Sequence, residues 1–203
     1  MHKYGLKPLR RKVKLFKKAD QKLKNIEYEN ILQKLCPLKP NIVWVSDFTY
    51  IRYQGRFIYL ASVQDMVSRE VLGVAISRFH TSNLVIEALT EALKKGRPEY
   101  VHSDQGSEYR AERYLQELRM NKIGSSYSDK GSPWQNGQME SFFGRFKDES
   151  GDLNRFETLP ELIAYIYQQI YYYNNLRIHT KFRMAPVKFK QSFLESHLDK
   201  RGT

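Results

Sequence analysis

Three acidic residues occupy positions from which they could act together. Asp47 lies inside an apolar, β-rich run, Asp104 directly follows the short apolar run 100–103, and Glu140 borders the apolar side of a helical pattern. Each alone has an ordinary explanation: an Asp facing solvent on a strand, an Asp that caps a helix or forms an Asx turn, and an exposed surface Glu. Together, carboxylates bind hard cations such as Mg²⁺, and two ions roughly 3.5–4 Å apart promote phosphoryl transfer.

The elements that carry these acids follow a recognisable order. Hydrophobic periodicity and turn residues predict strands at 42–51, 57–64, 70–77, 100–103 and 124–126, and helices at 82–95, 108–121, 136–149 and 160–174. We predict an α/β protein with a ribonuclease-H-like mixed five-stranded sheet, in which a three-stranded antiparallel meander comes first and helices cover both faces. In that arrangement an Asp in strand one, an Asp after strand four and a Glu on a later helix converge at one edge. Because three clustered carboxylates repel one another, bound cations would explain them better than stability does.

The helix predicted at 136–149 presents two different sides. Its apolar side is formed by Met139, Phe142, Phe143 and Phe146. A neighbouring stripe carries Glu140, Gly144 and Lys147, which places a carboxylate, a gap in side-chain bulk and a cation in line. Taken alone, this stripe is equally typical of an exposed surface helix.

The spacing of the acids carries a family resemblance. The interval between Asp104 and Glu140 holds 35 residues, which is the spacing of the DDE transposases and retroviral integrases. The segments around the acids resemble the larger, OrfB-like reading frame of bacterial insertion-sequence transposases: Trp44–Ile51, Tyr59–Ala61, His102–Tyr109, Ser132–Phe143 and Tyr172–His179. The resemblance covers about residues 41 to 190. Gln135 departs from the Asp that many relatives have there, and we expect no loss of chemistry from it.

The resemblance implies a DNA-cleaving and strand-joining enzyme. Asp47, Asp104 and Glu140 would be the catalytic residues and the ligands of Mg²⁺ or Mn²⁺, with two ions expected. A metal-activated water would cut at the transposon end, and the resulting 3′-hydroxyl would attack target DNA. Lys147 would contact the transposon-end DNA. The implied partners are double-stranded DNA, as transposon ends and as target, and further copies of the chain assembled on that DNA.

Further residues are candidates for contacts with the DNA backbone. Asn136 either binds a phosphate or caps the helix that follows it, and Arg145 on the same helix and Arg177 after the next one carry suitable charge. His102 is interpreted as a strand-end histidine satisfied by neighbours, and Asp65 as a turn residue. The tyrosines of 165–173 are interpreted as core residues rather than base-stacking platforms.

The positive charge of the chain is concentrated at its start. The net charge is +12, and residues 1–40 contain twelve Lys and Arg against three acids, including the run Arg10, Arg11 and Lys12. Such a run is typical of a solvated face or of a polyanion contact, and in this family it favours DNA. The segment Lys3–Pro8 resembles the end of the family's N-terminal helix-turn-helix region. We therefore expect 1–40 to hold the tail of a truncated helix-turn-helix region plus a linker, 41–190 the catalytic core and 191–203 a C-terminal tail.

Composition narrows the classes of protein that fit. No apolar run is long enough to cross a membrane, and the basic start lacks the apolar stretch of a signal peptide, so we expect a cytoplasmic protein that acts at the nucleoid without a membrane partner. A single cysteine excludes an internal disulfide. Two alternatives stay open: a non-catalytic DNA-binding remnant or regulator of a transposase, and a ribonuclease-H-like nuclease that does not join strands. An upstream-frame helix-turn-helix protein is a further expected partner.

Overall fold

The computed structural model describes residues 29–198, so the predicted contacts of Arg10, Arg11 and Lys12 fall outside the described residues. The strands are β1 (Val43–Tyr53), β2 (Arg56–Asp65), β3 (Val71–Ser77), β4 (Tyr100–Ser103) and β5 (Gly124–Tyr127). The α-helices are α1 (Ser82–Leu93), α2 (Glu112–Met120), α3 (Gly137–Ser150), α4 (Leu159–Asn175) and α5 (Pro186–Leu198). Short 3-10 turns lie at Ile31–Gln33, Pro133–Asn136 and Leu153–Arg155.

The five strands form one mixed sheet in the order β3-β2-β1-β4-β5. The first three strands pair antiparallel as a meander, and β4 and β5 then add in parallel to β1. The β1–β2 register places Asp47 opposite Ser62, while the pairing of β1 with β4 ends at Val45 and His102. The carboxyl end of β4 therefore opens beside the middle of β1, at the position of Asp47.

Two hydrophobic cores cover the two faces of the sheet. One face buries Trp44, Ala61 and Leu72 against α1 and α2, and the other buries Val45, Ile51 and Leu60 against α3 and α4. The alternation of side chains along β1 produces this division, because neighbouring residues point to opposite faces. On the first face α1 approaches β3 so closely that a Cβ on Gly73 would lie 2.1 Å from the carbonyl oxygen of Ala88.

Side-chain hydrogen bonds hold both ends of helix α4. Helix α4 begins with a capping box, in which the Thr158 hydroxyl accepts from the backbone N–H of Glu161 and the Glu161 side chain accepts from the N–H of Thr158. At its other end Asn174 is buried, and its side chain bonds both the backbone N–H and the carbonyl of Val71, at 2.8 Å each. Asn174 therefore anchors α4 to β3 and is not available to grip a phosphate.

The predicted fold class is confirmed: the mixed five-stranded sheet, the leading meander and helices on both faces are all present. Helix α5 was not predicted, because its apolar residues do not follow a clear helical stripe, and it runs across residue 190. The core interpretation of the tyrosines is wrong for Tyr167, Tyr171 and Tyr172, which are exposed on α4. The division into 1–40, 41–190 and 191–203 stays a prediction. Within residues 29–198, no helix combines the length and apolarity that crossing a membrane requires.

Candidate active site

A cavity of 380 Å³, which we call the acidic cavity, opens at the carboxyl end of β4 and contains all three predicted acids in its wall. The lining residues are Asp47, Asp104, Gln105, Gly106, Ser128, Asp129, Lys130, Gly131, Ser132, Asn136 and Glu140. Residues from a strand, a strand end and a helix, far apart in sequence, thus meet in one place.

Asp47 is fixed by the most central element of the fold. It lies on β1, the middle strand, and its side chain is half-buried on the sheet face that also carries Val45 and Ile51. One carboxylate oxygen accepts from the backbone N–H of Phe48 at 2.8 Å. The rigid sheet therefore holds this carboxylate in position.

Asp104 is held by a local turn at the end of β4. Its Oδ1 accepts from the backbone N–H of Gly106 at 2.9 Å, which is an Asx turn. A Cβ on Gly106 would lie 2.9 Å from the same oxygen, so only glycine leaves room for this arrangement. The turn and the cavity are compatible, because Asp104 remains exposed to the cavity while it makes the turn.

Glu140 reaches the cavity because of the amphipathic pattern of α3. Met139, Phe142, Phe143 and Phe146 are buried against the sheet, as their spacing predicts. That packing turns the neighbouring position outward, and Glu140 is exposed at the cavity wall. The helix begins after Asn136, whose side chain makes no capping hydrogen bond.

The three predicted acids of this cavity, Asp47, Asp104 and Glu140, form no ion pair in the part of the chain that the structure describes. The pKa of Asp47 is raised from its ordinary value of 3.8 to about 7, mainly by burial and then by the negative charges of Asp104 and Glu140, against the opposing effect of the Phe48 N–H. The negative charge of the three acids therefore favours the binding of a cation at this site.

The donor chemistry fits a divalent hard cation, whereas the side chains are spread around the cavity. Three carboxylates supply oxygen ligands of the kind that Mg²⁺ and Mn²⁺ prefer. Within residues 29–198, no group of three or more His, Cys, Asp or Glu side chains is gathered closely enough to hold a metal ion. Asn136 also lines this cavity. Its side-chain Nδ2 donates to the Ser46 carbonyl at 3.5 Å, whereas its buried Oδ1 has no hydrogen-bond partner within residues 29–198. Asn136 thus presents an unsatisfied acceptor and does not cap α3.

The wall of the cavity is stiffened by a buried histidine. His102 is fully buried, with Nδ1 2.8 Å from the Ser126 hydroxyl and Nε2 3.0 Å from the Ser128 hydroxyl. Burial lowers its pKa to about 4, so the ring is neutral at physiological pH. The prediction of a strand-end histidine satisfied by neighbours is confirmed.

Sequence reasoning missed several lining residues, among them Gln105, Asp129 and Lys130. Gln105 donates to the Ser128 carbonyl at 3.0 Å, and Asp129 accepts from Gln135 at 2.8 Å. The available signal was a pair of opposite charges, Asp129 and Lys130, in a turn-rich run next to the helix that carries Glu140.

The predicted DNA-contacting cations lie along α3 and after α4. Lys147 is exposed, and its Nζ stands 4.7 Å from the centre of the Tyr50 ring. Arg145 lines a different cavity, described below, and Arg177 is ion-paired with Glu149. None of these three cations lines the acidic cavity.

Comparison with known proteins places this geometry in a family. The integrase core domain matches residues 37–133, and a second integrase core domain family matches residues 121–186. The chain is 36% identical over 166 residues to InsK, the transposase assigned to insertion sequence element IS150 of Escherichia coli, covering 79% of this chain and 59% of InsK. It is 35% identical over 185 residues to the transposase of insertion sequence element IS904 of Lactococcus lactis, covering 89% of this chain and 73% of that protein.

Solved structures agree on the fold. The chain superposes on the HTLV-2 integrase catalytic core domain in complex with magnesium with a TM-score of 0.63 and 22% identity, covering 75% of this chain and 98% of that one. An integrase chain in the intasome of simian T-cell lymphotropic virus gives a TM-score of 0.65 at 19% identity, covering 76% and 55%. Since sequence and fold agree over most of its length, the chain belongs to the insertion-sequence transposases that have an integrase core domain.

Proposed function

We propose that this chain is the catalytic core of a DNA transposase, which cuts at the ends of an insertion sequence and joins the freed strand to target DNA. The observation that carries the proposal is the acidic cavity: Asp47, Asp104 and Glu140 line it together, and none of them forms an ion pair within residues 29–198. Since the chain spans 59% and 61% of the length of two of its relatives, the activity, substrates and partners of those proteins are part of the proposal.

We assign the three acids as ligands of two Mg²⁺ or Mn²⁺ ions. Such ions, when bound, activate the attacking hydroxyl and stabilise the leaving oxygen of an in-line phosphoryl transfer. The protein contributes position: β1 fixes Asp47, the turn to Gly106 fixes Asp104, and α3 carries Glu140. Asp47 must give up its proton for this role, and bound cations favour that because their positive charge opposes the burial and the repulsion that raise its pKa.

The DNA would lie across α3. Lys147, exposed about two turns beyond Glu140 on the same helix, is suited to contact a backbone phosphate of the transposon end. The unsatisfied Oδ1 of Asn136 can accept from the attacking water or the DNA, whereas Arg177 is already paired with Glu149 and could reach DNA only by exchanging that partner. The roles of Arg10, Arg11 and Lys12 stay predictions.

Assembly on DNA follows from the reaction. Joining both ends of an element requires two active sites that act on two ends, so we propose that at least two copies of the chain associate on DNA in the bacterial cytoplasm. An upstream-frame helix-turn-helix protein remains a predicted partner.

A strand-transfer assay tests the proposal. The protein is incubated with labelled DNA containing the ends of the element, in the presence of Mg²⁺. We expect joined products, and we expect Asp104→Asn to abolish them. Asp148→Asn is the matched control, because Asp148 is an exposed acid of α3 outside the cavity and its loss should leave joining intact.

The same assay separates the alternatives. Nicks without joined products would indicate a nuclease, and retardation of the DNA without cleavage would indicate a DNA-binding regulator. Joining that survives Asp104→Asn would overturn the assignment of the site.

A further inference from the structure

A second cavity, of 290 Å³, lies on the other side of the first half of α3. We call it the basic cavity, and its principal polar lining residues are Arg69, Gln138, Ser141, Arg145, Tyr173 and His179. Asn136 and Glu140 line the acidic cavity, whereas Gln138 and Ser141 of the same helix line this one. One helix thus separates two cavities of opposite character.

The basic cavity has no acid among its lining residues in the part of the chain that the structure describes. Burial lowers the pKa of His179, and the charges of Arg69, Arg145, Arg177 and Lys181 lower it further. His179 therefore lies in a region of dense positive charge. Such a concentration of cations is stabilised by an anion.

Arg69 is the most constrained of these cations. Its backbone adopts a φ of 65°, which is unusual for a residue other than glycine, and its N–H donates to the Asp65 carbonyl in the β2–β3 turn. Burial lowers its pKa, and its buried Nε has no hydrogen-bond partner among the residues that the structure describes. Asp65 attracts it, but the Asp65 carboxylate already accepts from Ser68 and Asn41. The turn thus holds a guanidinium in the cavity wall with unused donor capacity.

The remaining lining groups also suit an anion with several oxygens. Arg145 is exposed and forms no ion pair within residues 29–198. The Tyr173 hydroxyl accepts from Gln64 at 3.1 Å, which leaves its own hydrogen available to donate. Two arginines and a hydroxyl are the donors that recognise a phosphate.

We propose that the basic cavity binds a backbone phosphate of the DNA, on the order of three nucleotides from the phosphate that reacts in the acidic cavity. The spacing follows from a helix diameter of about 10 Å and an advance of about 3.4 Å per nucleotide along a duplex. The position of this phosphate relative to the reaction rests on the proposed function, whereas anion binding by the cavity does not.

The test is the salt dependence of DNA binding without divalent cations, so that catalysis plays no part. Affinity for a labelled duplex is measured by fluorescence anisotropy from about 50 to 200 mM KCl. We expect Arg145→Gln and Arg69→Gln each to weaken binding about tenfold and to reduce the slope of log affinity against log salt by about 1. The double variant should reduce it by about 1 as well, because both residues serve one phosphate.

Arg113→Gln is the matched control. Arg113 is an exposed arginine on α2, which packs on the opposite face of the sheet, and its loss should leave the slope unchanged. Thermal melting verifies that each variant is folded. Since Arg145 is exposed, its variant keeps the test decisive even if Arg69→Gln is destabilised.

A second measurement locates the phosphate. Duplexes with a single neutral methylphosphonate at successive positions should weaken wild-type binding at one position where the Arg145→Gln variant is no longer affected. Slopes equal to wild type in Arg69→Gln and Arg145→Gln would overturn the inference even if strand transfer proceeds. Reduced slopes without any strand transfer by the wild type would instead contradict the proposed function and leave anion binding by the cavity intact.

Discussion

Asp47 and Asp65 lie on two neighbouring strands of the same sheet, and the protein surrounds them in opposite ways. Asp65, at the end of β2, is fully buried and accepts hydrogen bonds from the backbone of Asn41 and Val67 and from both the backbone and the hydroxyl of Ser68. Within residues 29–198, Asp47 on β1 accepts only from the N–H of Phe48, and it is repelled by the charges of two further carboxylates. The hydrogen bonds of Asp65 stabilise a turn, whereas the carboxylate oxygens of Asp47 remain available to a ligand.

Two asparagines repeat this contrast. Asn174 uses both side-chain atoms on the backbone of Val71, and Asn136 leaves its buried Oδ1 without a partner in the wall of the acidic cavity. A buried polar atom without a hydrogen-bond partner lowers the stability of the fold by about 1–3 kcal/mol. Fully hydrogen-bonded side chains therefore stabilise the fold, whereas those with an unpaired buried atom destabilise it. Residue type alone does not distinguish these roles; the number of donors around the side chain does.

The largest expected effect comes from exchanging the two acids for their amides. Asp47→Asn should reduce strand transfer on the order of 10³-fold or more while raising the melting temperature in the absence of metal, because it removes repulsion. Asp65→Asn should lower the free energy of unfolding by about 3 kcal/mol, because its amide N–H groups face other donors, while the folded fraction keeps its activity. The measurements are strand transfer and thermal unfolding of both variants.

The comparison fails if Asp47→Asn destabilises the fold as Asp65→Asn does. In that case Asp47 would be a structural residue, and the cavity would need another explanation.

A smaller effect is expected in the pH dependence of stability in a metal chelator. The pKa of Asp47 is about 7 in the folded protein against an ordinary 3.8, so the folded state binds the proton more tightly and stability falls as pH rises from about 4 to 7. His102 acts in the opposite direction, because its pKa of about 4 lies below the ordinary 6.5 and stability rises through that window. Subtracting the wild-type profile from that of Asp47→Asn cancels the contribution of His102.

The free energy of unfolding of Asp47→Asn, relative to that of the wild type, should increase by about 2–4 kcal/mol between pH 4 and 7. Chemical denaturation at each pH measures it. A difference that stays constant with pH would show that the pKa of Asp47 is not raised in the folded protein.

The smallest effect distinguishes two adjacent asparagines. Asn174→Ala should lower the free energy of unfolding by about 2–3 kcal/mol, because the backbone N–H of Val71 loses the Asn174 acceptor and its carbonyl keeps only the longer bond from Lys95. Asn175→Ala should cost under about 1 kcal/mol, because Asn175 is exposed and donates only to the Tyr171 carbonyl. Chemical denaturation of both variants provides the comparison, and equal losses would contradict the anchoring role of Asn174.

The elements that could be predicted from the sequence are those with a clear short-range pattern of residues. The capping box at Thr158, the apolar stripe of α3 and the alternation along β1 are short-range patterns, and each element lies where its pattern indicates. Helix α5 has no comparable stripe and was missed. The anchoring of Asn174 on Val71 could not be predicted, because a polar residue in a polar run gives no sign of the strand it packs against.

The sequence by itself determined the order of the elements, the fold class that this order allows, and the family to which Asp47, Asp104 and Glu140 point through their spacing. Only the tertiary structure decided which buried polar groups have hydrogen-bond partners and which have none in the described part of the chain. It also brought Arg69 from the β2–β3 turn, Arg145 from α3 and His179 from the segment after α4 into one basic cavity. The physical reason is that periodicity and turn chemistry act over a few residues, whereas hydrogen-bond satisfaction and electrostatic field depend on groups that are distant in sequence and adjacent only after folding.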